Sequence, residues 1–542
     1  MSPAPDGLWA RLARAGVFGG DPAAEPGAEW IQTHLSHVYR TATRVYKFRK
    51  PVALAFVDFS ARAERNADCL REVALNRRLA PDVYLGVAPV LCEGGAARVG
   101  ALREDLADPE HEHVVVMRRL QDGRDALSRL ERGALSTPQL DALADRIARF
   151  HAEHGLGRPA PFESEEWLAR CTRPLEENFR QLERAPAELA PPDALERARR
   201  RARGFADRHA DRFERRRGAG RAIDGHGDLH LAHVWYEGDD AEPIAIDCLE
   251  FSESLRRIDA ASEVAFLAMD LRYRDAAALA ERFLSRYARE SDDFDLYSVV
   301  DYFVAYRAGV RAKVATLAAA DESIAPEQRE RAAQSARRHL ALAGDALRPA
   351  PRPVLVLVAG VVGSGKSSVA DALAGSLGAA VIGSDRVRKR LLGLPPTARV
   401  GSGWQQGAYA PAHTARTYAG LLERAAPVLG SGRHAVLDAT FSSRANRADA
   451  ARCAEKLGAS AWLVEVRCAP EVARERLARR AAAGRDASDA GPQTWAASAA
   501  GFEPVDEWPA ARRARIQTDR DDWPRRASEL VARIRAGASS PS

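Results

Sequence analysis

The stretch "VLVLVAGVVGSGKSS", Val354 to Ser368, decides the fold of the C-terminal part of the chain. Its first half is an apolar run of strand length, and its second half matches the phosphate-binding pattern G-x-x-x-x-G-K-[ST] from Gly360 to Ser367. The next segment, "VADALAGSLG", has helical spacing, so the motif lies in the strand–loop–helix setting that its chemistry needs. Gly360, Gly363 and Gly365 let backbone N–H groups curl around phosphate oxygens, and the helix N-terminus adds a favourable dipole. Lys366 is placed to reach the β/γ-phosphates and Ser367 to ligate Mg²⁺, with Ser364 and Ser368 in the same nucleotide-binding set.

Downstream, strand signals at 354–358, 380–383, 435–438 and 462–467 alternate with helical stretches, which predicts a three-layer α/β domain with a mostly parallel sheet. Open sheets of this kind collect ligands at the carboxyl ends of their strands. In "VIGSDRVRKRLLG" that end carries Asp385, able to accept a proton from an attacking hydroxyl, and Arg388, able to neutralise an anionic acceptor. The same Ser-Asp pair would also suit a plain helix cap. The strand in "HAVLDATF" ends in Asp438, which fits a carboxylate of the magnesium shell, followed by Thr440, Arg444 and Arg447. Last, "RERLARRAAAGRDASDAG" strings Arg476, Arg479, Arg480 and Arg485 along a helix and loop that can close over a nucleotide. Arg479 is the expected lid arginine and Arg444 a further phosphate contact.

Upstream, "LRPAPRP" at 347–353 reads as an extended linker, because proline removes a backbone donor and restricts its neighbour. It divides the 542 residues into domains over 1–346 and 354–542. In the first, "RVYKFRKPVALAFVDF" predicts a strand pair, "RAERNADCLREVALNRRLA" a helix and "EHVVVMRRL" a buried strand. That order gives a small lobe at about 30–120 and a helical large lobe at about 121–346. A chain that is 46% hydrophobic and 29% charged is not globally disordered. With no signal-peptide core and no apolar run of about 18 residues, the expectation is a cytoplasmic protein without a membrane span.

The six cysteines include no C-x-x-C pair and read as free thiols. Only six lysines stand against 74 arginines, so each lysine is informative. From residue 350 onward, 28 Lys/Arg against 18 Asp/Glu give a net charge of +10, which leaves −5 upstream. The split suits an anionic ligand in the C-terminal part, or a solvated arginine-rich surface.

The N-terminal part carries a second candidate site. In "GHGDLHLAHVW", Gly225 to Trp235, Asp228 stands where a kinase catalytic loop D-x-x-x-x-N places its aspartate, but the fifth residue on is His233. "IAIDCLEF" follows with Asp247, in the order expected of a second metal-binding aspartate. Upstream, Lys47 or Lys50 in "VYKFRKPV" is placed to pair with nucleotide phosphates, with Glu72 as its ion-pair partner, although no G-x-G-x-x-G precedes Lys47. Imidazole is a borderline ligand that suits softer metals than magnesium. Three outcomes are open: Glu250 or water fills the gap left by asparagine, a different metal is used, or the site binds nucleotide with little turnover.

Residues 353 to about 535 resemble the P-loop kinase group that includes polynucleotide 5′-hydroxyl kinases, gluconate kinases and chloramphenicol phosphotransferases, through "GVVGSGKS", "SDRVRKRLLG", "VLDATFSSRANR" and the arginine-rich segment. The resemblance implies phosphoryl transfer to a hydroxyl, with Asp385 as base and Arg388 on the acceptor. Residues from about 30 to 320 resemble the aminoglycoside phosphotransferase and choline kinase superfamily, which uses HGD-x-x-x-x-N and a downstream Asp. Over nearly the full length, "THLSHVY", "VVMRRL", "RRIDAASEVAFLAMDL" and "YRAGVRAKV" extend the resemblance to bacterial two-domain proteins that join the two modules in this order. What this implies is an α/β and α+β multidomain chain. Its N-terminal part would be a two-lobed protein-kinase-like fold, and its C-terminal part a P-loop kinase with a parallel sheet in three layers.

The expected activity is ATP-dependent phosphotransfer with ATP and Mg²⁺ as cofactors. The acceptor is an unidentified hydroxyl compound, a small molecule ahead of a nucleic-acid end. The alternatives are 5′-hydroxyl end processing, for which Trp495, Trp508 and Trp523 could stack bases although such tryptophans are more often core or interface residues, and regulatory ATP binding with weak turnover.

Overall fold

The buried strand β6, Glu112–Arg118, follows β1 (Glu29–Gln32), β2 (Ser36–Arg40), β3 (Arg44–Arg49), β4 (Tyr84–Glu93) and β5 (Ala96–Val99) in an antiparallel sheet of order β1-β2-β3-β6-β4-β5. Side chains alternate across a strand, and both faces of β6 are covered. Val114 and Val116 join Tyr46 and Phe48 of β3 in one core, while Val115 and Met117 join Cys69 and Val73 of helix α1, Arg62–Asn76, in another. Each such residue, once fully buried, stabilises by about 1.5–3 kcal/mol. This register turns Lys47 and Arg49, the residues of β3 that alternate with Tyr46 and Phe48, toward α1. The computed structural model describes residues 29–539 apart from 34, 55–56, 94–95, 106–108, 350–351, 396–397, 399–406 and 484–490. Arg485 and part of the expected linker lie outside the described residues.

The chain up to Arg173, together with Glu214–Asp270, forms one compact unit; Pro174–Phe213 and the chain from Leu271 onward form the other. The first unit adds α2 (Thr137–Glu153), closed at its start by a Ser136/Gln139 capping box, and three short pieces around the HGD loop. These are β7 (Ala222–Asp224), the antiparallel hairpin β8 (Val234–Trp235) and β9 (Ile244–Ala245), and β10 (Arg257–Asp259), which pairs with β7. Helix α3, Ala260–Tyr273, then carries Glu263 and Asp270 beneath that loop.

The second unit contains a five-stranded, wholly parallel sheet of order β12-β13-β11-β14-β15. The strands are β11 (Val354–Ala359), β12 (Ala380–Gly383), β13 (Ala435–Asp438), β14 (Ser460–Arg467) and β15 (Arg513–Gln517). All six residues of β11 are fully buried, as befits a central parallel strand with helices on both faces. Val354, Val356 and Val358 meet α7 (Lys366–Leu377) and the C-terminal helix at Trp523–Ser539. On the other face lie α9 (Pro411–Gly430) and α10 (Arg444–Lys456). Between α7 and α9 in the chain stands α8, Ser384–Leu391.

Four of the five strands match the expected ones; β15 was not expected. Its sequence "RARIQ" has only Ala514 and Ile516 as apolar residues, a pattern typical of an edge strand protected by charge. The helices α4 (Ala277–Ser291), α5 (Val300–Ala320) and α6 (Pro326–Asp345), upstream of the linker, belong to this same unit. Arg433 bonds Glu281 at 2.7 Å and Asp301 at 2.7 and 2.8 Å, and Arg272 bonds the same two acids at 2.8 and 3.1 Å. Arg424 grips Asp292 with two bonds of 2.7 and 2.6 Å, and Arg386 bonds Glu290 at 2.5 Å. Among the described residues no helix is long and apolar enough to cross a membrane.

Two candidate active sites

In the second unit the candidate residues gather where the parallel strands end. Asp438, the last residue of β13, is in register with Val358 of β11 and Gly383 of β12, so the loop from Gly360, the start of α8 and Asp438 share one edge of the sheet. Gly360 has φ 153°, and a Cβ there would lie 2.3 Å from the Val466 carbonyl oxygen; Gly363 has φ 78° and faces the Ala473 oxygen at 2.7 Å. Neither position admits a side chain, so the loop runs bare past β14 and the next helix. Gly365 caps α7, whose first residues are Lys366, Ser367 and Ser368, the two serines exposed and Ser364 buried.

Lys366 donates to the Val361 carbonyl at 2.9 Å, and the Ser367 hydroxyl donates to Asp438 Oδ2 at 2.6 Å. Burial lowers the Lys366 pKa against the opposing pull of Asp438 and Asp385, while burial raises that of Asp438. Removing water from this edge makes each of its charges a stronger electrostatic partner for a polyanion. Asp385 accepts from Arg388 at 2.8 Å, and the Arg388 guanidinium stacks 4.3 Å from the Tyr409 ring centre.

The remaining arginines separate. Arg444 opens α10 with an exposed side chain bonded to Asp506 at 2.7 Å. Arg447 is fully buried and bonds the carbonyls of Phe441 and Pro504 at 2.9 and 3.1 Å, which fixes the loop after β13. On Pro470–Ala483, Arg479 is 73% exposed and bonds Glu475 at 2.8 Å, whereas Arg476 bonds Thr518 Oγ1 at 2.7 Å and the Thr518 carbonyl at 2.8 Å. Thr518 in turn donates to the Ser364 carbonyl at 2.6 Å, so it ties Arg476 to the phosphate loop. Sequence reasoning missed Thr518 because it missed β15; a polar "TD" directly after a short alternating run was the available signal.

In the first unit, Lys47 and not Lys50 makes the expected pair. Its Nζ lies 2.9 Å from Glu72 Oε1 and 2.8 Å from Asp247 Oδ1, while Lys50 bonds the Thr33 carbonyl. Arg49, unanticipated, bonds Asp68 at 2.6 Å and Glu72 and Glu250 at 2.5 Å each. Residues two apart on β3 thus meet residues four apart on α1, the natural match of strand and helix periods. Glu250 accepts from Arg49 through Oε1, and burial pushes its carboxyl up to about 7 against the pull of Arg49.

The HGD loop is held from below. Glu263 accepts the N–H groups of His226 and Gly227, the latter at 2.9 Å, and Asp270 accepts that of Leu231 at 3.1 Å. A glutamate inside the apolar run "SEVAFLAM" was the sequence signal for this support. His233 ends a 3-10 turn, Leu231–His233, and its carbonyl accepts from Ile246 across the β8–β9 hairpin at 3.0 Å, which brings Asp247 beside it. Asp247 has φ 64°, a left-handed conformation that marks a constrained position. Burial opposes its ionisation, but Lys47 and then His233 outweigh that and hold its carboxyl below the usual range.

The first unit thus sets the HGD loop beside an antiparallel sheet, and the second sets a glycine loop at the end of a parallel sheet, the architecture of a P-loop domain. A family model described as an AAA domain matches residues 355–505. The uncharacterized protein Rv2004c of Mycobacterium tuberculosis is 34% identical over 471 residues, 86% of this chain and 88% of that one. The chain belongs to the family of that protein. Among solved structures, a gluconokinase from Sinorhizobium meliloti is 21% identical with TM-score 0.25, covering 35% of this chain and 97% of its own. A choline/ethanolamine kinase family protein from Mesorhizobium loti is 15% identical with TM-score 0.34, covering 62% and 98%.

Proposed function

We propose that the protein is an ATP-dependent phosphotransferase whose P-loop domain moves the γ-phosphoryl group to the hydroxyl of a small molecule. The observation that carries this reading is the shared sheet edge with Lys366, the Ser367–Asp438 pair at 2.6 Å and the Asp385–Arg388 pair at 2.8 Å. A nucleotide-binding loop alone would need none of the last two residues. The glycine loop and Lys366 bind the phosphates. Asp385 takes the acceptor proton as the hydroxyl oxygen attacks γ-phosphorus and ADP leaves, and Arg388 orients an anionic group of the acceptor.

Ser367 and Asp438 offer hard oxygen donors, the chemistry that suits Mg²⁺, and these two residues would hold it; the ion would supply charge neutralisation on the transferring phosphates. Of the lid arginines, Arg476 and Arg480 are better placed than Arg479: Arg476 reaches the loop through Thr518, and Arg480 is near enough for its charge to act on Lys366. Arg444 would join them only by exchanging Asp506 for phosphate.

In the first unit the Lys47–Glu72 pair at 2.9 Å supports a second nucleotide site, with Lys47 on the phosphates and Asp228 as the base of a weaker activity. The test is ADP release from ATP across a library of hydroxyl compounds, with oligonucleotide 5′ ends as the competing class. Acceptor-dependent release that survives Asp228→Ala and vanishes in Lys366→Ala is expected. Release that vanishes in Asp228→Ala and survives Lys366→Ala would overturn the assignment.

A further inference from the structure

Beside Asp228, which the second nucleotide site proposed above uses as a base and which a bound metal would instead take as a ligand, the HGD loop contains two donors that reading does not use, His230 and His233. The resemblance to choline kinases would place magnesium at positions 233 and 247, yet the groups present do not suit it. Magnesium takes oxygen ligands in a strict octahedron and parts reluctantly with its waters, whereas this loop presents two imidazoles beside its carboxylates. One donor atom from each of Asp228, His230 and His233 lies within 4.8 Å of the others. We propose that Asp228, His230 and His233, with Asp247 completing the set, bind a divalent transition metal of the zinc class in place of magnesium.

Four features support this. The Nδ1–H of His233 donates to the Asp228 carbonyl oxygen at 3.0 Å, which fixes the ring and leaves Nε2 as its lone-pair atom. That Nε2 stands 3.6 Å from Asp247 Oδ2, and His230 Nε2 stands 3.7 Å from Asp228 Oδ2. Donors bound to one zinc ion at about 2.0–2.2 Å lie roughly 3–3.6 Å apart, so these two pairs stand near ligand spacing while the Asp228, His230 and His233 set must close from within 4.8 Å. Third, Lys47 occupies Asp247 Oδ1 at 2.8 Å, so the oxygen toward His233 is the one left for a metal. Fourth, an outer layer holds the donors in place. The Asp228 N–H donates to His226 Nδ1 at 3.3 Å, His226 Nε2 donates to the Ile246 carbonyl at 2.8 Å, and the loop backbone rests on Glu263 and Asp270. Outer partners of this kind commonly set metal affinity by about 10–100-fold.

The competing arrangement places a proton where the metal would be, with a charged His233 bridging Asp228 and Asp247 and no ion bound. The two are separated on the full-length protein by metal content, independent of any activity. Chelator-stripped protein is equilibrated with Zn²⁺ or Co²⁺ in excess Mg²⁺ and gel-filtered, and bound metal is counted by elemental analysis while the visible absorption of Co²⁺ reports its ligands. About one equivalent retained by the native protein is expected, with Co²⁺ bands of an imidazole–carboxylate site. His233→Asn and His230→Ala, each checked for an unchanged melting temperature without metal, should weaken zinc at least tenfold. No stoichiometric uptake by the native protein, or equal uptake by the His230→Ala/His233→Ala variant, would overturn the proposal.

Discussion

The two sites solve the same electrostatic problem with different donors. At the sheet edge of the second unit, the groups beside Lys366 are oxygens, with Ser367 and Asp438 2.6 Å apart. At the HGD loop of the first, a lysine again stands over a carboxylate, Lys47 on Asp247 at 2.8 Å, but the neighbouring donors are His230 and His233. On the proposals made above, a lysine next to an acid is no guide to the metal; the identity of the third and fourth donors is.

The sharpest break of the comparison comes from the lysines. Lys366→Ala should lower ATP turnover by about 10²–10³-fold, since a cation on the transferring phosphates is lost, whereas Lys47→Ala should leave most of it. Equal losses in a coupled ADP assay would mean that the units work as one catalyst. Next in size, Arg433→Ala should destabilise the second unit by about 1–3 kcal/mol, because the half-buried Glu281 and Asp301 then lose one of their two arginine partners among the described residues and keep Arg272. Denaturant unfolding would read that loss, while nucleotide affinity in the first unit stays put.

Legibility differed between the sites in the same way. Phosphate binding is a property of backbone shape, and glycines at fixed spacing write that shape into the sequence; Gly360 and Gly363 stand where no Cβ fits. The HGD site depends on side chains brought together across long separations, such as Arg49 on Glu250, and no local pattern announces them. Lys47 and Glu72 were legible because kinase order supplies their partners. β15 and Thr518 were not, because a charged edge strand has almost no apolar signal.

A smaller effect is expected at α8. Glu290→Ala removes the partner of Arg386 and loosens the helix that carries Asp385, so turnover should fall about tenfold with nucleotide affinity unchanged. A matching loss of affinity would show that the helix contributes to binding and not to alignment. The smallest effect is in the pH profile. Burial opposes ionisation of Asp301, but Arg433 and Arg272 hold it down to about 2 from 3.8, and burial likewise opposes that of Glu263, which His151 and His226 hold down to about 2 from 4.5. Carboxyls depressed in the folded state add stability that is complete above their unfolded values and is lost as pH falls through the folded ones. Unfolding monitored by circular dichroism should therefore steepen between about pH 4.5 and 2, and less so in Arg433→Ala.

Helix α8 has a consequence for how the gene can be cut. One of its sides offers Asp385 and Arg388 to the sheet edge that carries Lys366, and the other sends Arg386 and Arg390 to the side chain and carbonyl of Glu290 on α4, at 2.5 and 2.6 Å. Arg424 and Arg433 likewise find their acids at Asp292, Glu281 and Asp301, all encoded before the prolines. A fragment begun at Val354 would thus expose arginines stripped of their counter-ions. Part of the opposition between a −5 upstream sequence and a +10 downstream one is thus neutralised inside a single unit, and a transplanted C-terminal module needs α4 and the start of α5 to travel with it.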